Sequence, residues 1–206
     1  MTNFPNARPR RAAPRRPIVP ALLLALFLIL GSVVAAKLPT RKQVTTSPFL
    51  RHGSIGEPVR LRTGTVTVKN VRGTTEVEHT MGNSGEVANT AGVWLVVDLD
   101  FVAAGEQQTL LHHRLHDQQG RIFGGPQVFL HQCGPSQPGL ILSCPLILEV
   151  PEDALPGSEL RIFASSPGEP DDEAVINLEL DDAAAEAMAA NAERIVLSDP
   201  VVRGRA

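Results

Sequence analysis

Apolar positions change their period along this chain. From Ile18 to Ala36 they form one run, IVPALLLALFLILGSVVAA, 19 residues without a charge. As a helix at about 1.5 Å per residue, such a run nearly spans a hydrocarbon core of roughly 30 Å. It lacks the polar face of a helix buried in a soluble domain, so the spacing predicts one transmembrane helix over residues 18–36. Residues 37–56, with Pro39, Pro48, Gly53 and Gly56, read as a polar linker.

Beyond residue 57 the period is two. In GTVTVKNV (64–71), Val66 and Val68 share one face, and Thr65, Thr67 and Lys69 share the other. Residues 73–91, rich in Gly, Thr, Asn and Ser, read as a long loop. The strongest strand signal is GVWLVVDLDF (92–101). Val93, Leu95, Val97, Leu99 and Phe101 line one face, and Trp94, Val96, Asp98 and Asp100 line the other. Further strands are expected at 109–116, 121–130, 139–150, 159–164 and 174–180, separated by Gly/Pro turns. That spacing predicts an all-β sandwich or barrel over 57–180. A short helix is expected at 182–194, capped by Asp181 or Asp182 ahead of an alanine-rich run, followed by a tail that brings the final segment to 181–206.

Charge sharpens this picture. The net charge of −3 over 206 residues is unevenly spread. Residues 1–51 carry nine Lys or Arg and no acid, whereas residues 52–206 carry ten bases against all 22 acids, a net of −12. A basic arm beside an apolar run reads as a topology signal, with tail 1–17 cytoplasmic and the domain extracytoplasmic. Lys37, Arg41 and Lys42 on the far side weaken that asymmetry. An acidic domain disfavours nucleic acid as a partner. Val34-Ala35-Ala36 also offers a cleavage pattern, so two readings stand: a permanent single-pass anchor in the cytoplasmic membrane, or a signal peptide cut after Ala36.

Three segments, in order, carry a resemblance. GVWLVVDLDFVA (92–103) resembles a glycine-led alternating central strand. LHDQQGRIF (115–123) resembles an L-x-D-x-x-G-x-x-aromatic hairpin, and PGLILSCPLILEVPEDA (138–154) is similar to a strand that ends V-P-x-x-A. Together they resemble bacterial exported domains of the DUF4352 type over about residues 57–180. The asparagine common after the central strand is replaced here by Val102-Ala103-Ala104-Gly105. The resemblance implies an immunoglobulin-like antiparallel β-sandwich, often tethered by one N-terminal membrane segment. It implies no catalytic residues.

Candidate chemistry is sparse. Cys133 and Cys144 flank a Gly/Pro-rich connection with ten residues between them. In an exported, disulfide-permissive compartment they read as a structural disulfide, contributing about 3 kcal/mol in the chain-entropy model. His112, His113, His116 and His131 form the candidate metal set. On a strand, however, His112 and His116 share a face at about 13 Å, too far apart for one zinc. Asp98, Asp100 and the Asp171-Asp172-Glu173 run fit no calcium loop. Gly-x-Ser-x-Gly and phosphate-loop motifs are absent.

No cofactor is implied. The expected function is a non-enzymatic, membrane-anchored module binding another envelope or membrane protein, with Trp94, Asp98 and Asp100 as candidate partner surface. The alternative is a ligand- or metal-binding envelope protein using the histidines.

Overall fold

The computed structural model describes residues 18–37, 48–81, 84–110, 112–124, 133–163 and 172–205. The expected basic tail 1–17, His131 and residues 125–130 of an expected strand lie outside them.

The chain divides into two units, residues 1–45 and 46–206. The first contains helix α1, Ile18–Lys37. Leu22, Leu24, Phe27, Leu28 and Ile29 on it are exposed. Side chains are described only for Pro20 and Leu22–Ala35, and among the described residues no helix is long and apolar enough to cross a membrane.

The second unit is an all-β sandwich of two sheets. Its strands are β1 (Phe49–Ser54), β2 (Pro58–Arg60), β3 (Gly64–Met81), β4 (Ser84–Ala103), β5 (His112–His116), β6 (Ile122–Phe123), β7 (Leu140–Val150), β8 (Glu159–Phe163), β9 (Asp172–Asn177), β10 (Ile195–Val196) and β11 (Val201–Arg205). One sheet runs β1-β9-β8-β5-β6. The other runs β10-β3-β4-β7-β11, with β2 also on β3. Most pairings are antiparallel, but β1 on β9 and β10 on β3 are parallel.

The core lies between the sheets. Val93, Leu95, Val97, Leu99 and Phe101, the face expected from alternation, pack with Val66 and Val68 of β3. They also pack with Leu142, Leu146 and Leu148 of β7 and with Leu115, Leu160, Ile162, Ala174 and Ile176 of the facing sheet. Each fully buried aliphatic side chain there contributes about 1.5–3 kcal/mol of transfer free energy. β11 pairs with Leu140–Ser143 and stops short of Pro145, which has no N–H to donate on that side.

Four expectations change. Residues 73–91 are not a loop, because β3 and β4 continue as a hairpin to the pair Met81–Ser84. Its threonines and Val77 suit extended chain, and mostly solvent-facing positions leave little apolar alternation to detect. The linker expected at 37–56 contains β1, which adds to the edge of β9. The helix, α2, covers only Asp182–Ala190 and ends at Asn191; Asp181 caps it by accepting from the Ala184 N–H at 2.8 Å. The expected tail supplies β10 and β11.

Candidate functional site

Strand β5 places the described histidines. Against β8, His112 lies opposite Phe163, Arg114 opposite Arg161, and His116 opposite Glu159. Leu115 is buried, His113 half-buried and His112 and Arg114 exposed, so the alternation sends His113 inward with Leu115 and the other three outward. His113 Nε2 lies 3.2 Å from the Ile147 carbonyl on the facing sheet. Burial lowers its pKa, the Ile147 hydrogen bond partly offsets this, and His112 lowers it further. The pKa of His116 is lowered by burial, then by Arg161 and Arg114. The His112 ring stacks on Phe163 at 4.9 Å.

The histidines are thus split between two faces. Among the described residues, no group of three or more His, Cys, Asp or Glu is placed to hold a metal. His131 lies outside the described residues.

Around them lie groups that sequence reasoning missed. Phe163 carries the Arg114 guanidinium 5.5 Å from its centroid. Arg161 lies 3.8 Å from Glu159 and 3.9 Å from Glu173. Glu173 is buried on the neighbouring strand; burial raises its pKa, against the pull of Arg161 and Arg114. The alternating ELRIF of β8 could have flagged Arg161 and Phe163 as facing outward together.

The candidate surface at Trp94 is corrected. Trp94 is 2% exposed and packs with Val77, Val96, Ile147, Ile195 and Leu197 in a second apolar cluster. The cover is the segment after α2. It pairs Ile195 with Val77, donates from the Leu197 N–H to the Glu78 carbonyl at 2.8 Å, and is flanked by Arg194 paired with Glu76 and Glu78. The spacing of Ile195 and Leu197 was the available signal.

Asp98 and Asp100 sit farther along β4 and are engaged. Asp98 accepts from Arg72 through both oxygens, at 3.1 and 3.0 Å. Asp100 accepts from the Ser143 hydroxyl at 2.5 Å and lies 3.7 Å from Lys69. The three residues are therefore not one exposed patch. An open depression of about 820 Å³ beside α2 is lined by Arg72, Met188, Asn191 and Arg194, whose two arginines already face carboxylates.

Cys133 and Cys144 form the expected disulfide, with Cα atoms 5.5 Å apart. Both are buried in the main core. Beside them Ser136 exchanges backbone hydrogen bonds with Gln108 at 3.1 and 2.8 Å, and its hydroxyl accepts from the Ala103 N–H at 3.3 Å, so the segment leading from Cys133 to β7 is held against the end of β4 and the chain just beyond it. The LHDQQGRIF turn also has a physical basis. Asp117 Oδ1 accepts from the Arg121 N–H at 2.7 Å, and Gly120 adopts φ +80°. Burial pushes the Asp117 carboxyl up, but hydrogen bonds from Arg121 and the backbone together hold it below its ordinary value.

The β3–β4 hairpin offers a different kind of surface. β7 accompanies β4 only from Val93 to Val102. Ser84–Asn89 pairs with β3 on one side, the register shifts before the next pair at Trp94, and among the described residues no strand pairs with the other side of Ser84–Ala91. SGEVANTA contains one charge, Glu86, and no proline. An open depression of about 450 Å³, lined by Thr90, Ala91, Gly92 and Pro151, lies where this edge leaves β7.

No family model matches the chain, and no curated protein matches it. Among solved structures it is similar to an uncharacterized β-sandwich protein from Clostridium difficile 630, at 12% identity and a TM-score of 0.42, over 68% of this chain and 99% of that one. The class of protein is an all-β sandwich with an internal disulfide, and it rests on the strand pairing and the shared core described above.

Proposed function

We propose that the chain is a non-enzymatic, membrane-tethered binding module, on the outer side of a bacterial cytoplasmic membrane, that docks an extended segment of another envelope or membrane protein. The observation that carries this reading is the open edge of β4 at Ser84–Asn89. Natural sheet edges are usually short, charged, bulged or covered, and an uncovered edge pairs readily with an added strand. β6 has two residues, β11 carries Arg203, Arg205 and a register shift, and β1 carries Arg51 and His52. The hairpin edge runs in unbroken register over the six residues Ser84–Asn89 with a single charge, Glu86, before the register shifts beyond Asn89.

The tether is supported by five N-terminal arginines ahead of an uncharged 19-residue run. The Cys133–Cys144 disulfide fits an oxidising compartment outside the cytoplasm. An immunoglobulin-like sandwich of the DUF4352 type is the finer assignment we favour. It is supported by the Asp117–Gly120 turn and by PGLILSCPLILEVPEDA, which forms β7 and the 3₁₀ turn Glu152–Ala154.

Photocrosslinking in intact cells tests the docking edge. A probe at exposed Asn89 is expected to give one discrete protein adduct, absent from a probe at exposed Glu106 and lost when Val87→Lys charges the edge. Equal adducts from positions 89 and 106, or an adduct insensitive to Val87→Lys, would remove the reading.

A further inference from the structure

The outer face of the β5–β8 pair is organised around a like-charge contact. Arg114 and Arg161 are directly opposite in an antiparallel register, which brings their Cβ atoms to about 4.5–5.5 Å. Like charges at that spacing destabilise a strand pair unless something answers them. The answer within the protein is partial. Arg161 faces Glu159 and Glu173 at 3.8 and 3.9 Å, both at the long end for an ion pair, and its buried Nε has no hydrogen-bond partner. Among the described residues Arg114 has no carboxylate partner; its guanidinium lies over Phe163.

His112 and His116 flank Arg114 on the same face, each two residues away. The positive field there is felt locally, since both arginines hold the His116 pKa down, after burial. The result is an aromatic-floored patch whose two guanidiniums are answered, among the described residues, only by Glu159 and Glu173, at the long end of ion-pair distance from Arg161.

We propose that this face is a binding site for a phosphate group, held between the guanidinium forks of Arg114 and Arg161, with His112 and His116 at its margins as hydrogen-bond donors. A phosphate suits the site better than a carboxylate. It offers oxygens to two forks at once and carries enough charge to answer two cations. The domain's overall charge does not forbid this, because at physiological salt its field is screened over about 8 Å while the two forks act in contact. The site is separate from the β4 edge, so either can fail without the other.

The test is calorimetric titration of the full chain in detergent with inorganic phosphate and, separately, with glycerophosphoglycerol, the water-soluble headgroup of an anionic lipid. Saturable binding of either ligand is expected, weakened at least about tenfold by Arg114→Gln. Binding is expected to be unchanged in Arg194→Gln, whose arginine lies beside the other sheet. Tighter binding of inorganic phosphate assigns free phosphate as the source, and tighter binding of the headgroup assigns lipid. Arg114 is exposed, so the decisive variant leaves the core untouched. Absence of saturable binding, equal affinity in Arg114→Gln, or tighter binding of acetate than of phosphate would overturn the proposal.

Discussion

On the outer face of the six-stranded sheet, Trp94 is 2% exposed and packs with Ile195 and Leu197; on the outer face of the five-stranded sheet, His112 and Arg114 stand in solvent. Both faces follow from the same two-residue period. What separates them is the stretch after α2, which crosses β3 and adds β10. Gly73 permits the close approach of α2, from which that stretch leads: a Cβ there would sit 2.6 Å from Met188 Cγ. On the first face the outward aromatic lies under an apolar second layer, while on the other the outward Phe163 lies under His112 and Arg114, which are themselves exposed.

The comparison breaks most easily at Trp94. Trp94→Ala is expected to cost about 3–5 kcal/mol, because a large buried ring leaves a cavity. Arg114→Ala, on the opposite outer face, should stay within about 0.5 kcal/mol. Urea unfolding of the full chain in detergent measures both, and equal costs would mean that the two faces are not different in kind. Next comes the disulfide. Replacing Cys133 and Cys144 together by Ala should cost about 3 kcal/mol in the same measurement, since the bond closes a short connection into the core rather than either outer face. A loss near zero would show that the hydrogen bonds of Ser136 alone hold that segment.

A smaller effect sharpens the account of the cover. The buried Thr74 hydroxyl donates to the Glu193 carbonyl at 2.7 Å, and the Asn191 side-chain amide donates to the Gly73 carbonyl at 2.9 Å. Thr74→Val should cost about 1–3 kcal/mol, the range for stranding a buried polar group. It should also raise the solvent exposure of Trp94, read by fluorescence quenching. Destabilisation without added exposure would mean that apolar contact alone keeps the cover closed.

The fold was legible where every second residue along a strand is apolar and enters the main core. Val93 to Phe101 alternate without a break, and β7, β8 and β9 lie within a few residues of their expected bounds. The hairpin was not, because its outer half faces water and shows composition rather than period. The C-terminal cover was missed because two apolar residues, Ile195 and Leu197, are too few to announce a strand that borrows most of its apolar surroundings from β3 and β4. The candidate site was legible only in part. Alternation split His112 and His116 from His113, but the cross-strand partners Arg161 and Phe163 depend on register, which a single sequence does not encode locally.

The smallest expected effect separates the inward histidine from the outward ones. His113 has a depressed pKa in the folded chain, so protonation favours unfolding. Its contribution to stability is present above the unfolded value of 6.5 and is lost as pH falls below it toward the folded pKa. His116 acts in the same direction but is less buried and borders solvent. Glu173, with a raised pKa, acts oppositely: its contribution is present below the unfolded value of 4.5 and lost as pH rises through the folded pKa, so acidification favours the fold there. Lowering the pH from about 8 to about 5.5 should therefore reduce stability. His113→Gln should remove more of that loss than His116→Gln. Unfolding curves of the two variants at both pH values decide the matter. If His116→Gln flattened the dependence as much as His113→Gln, the exposed face would be as strongly coupled to folding as the core, and the contrast between a covered layer and a solvent-facing site would have to be given up.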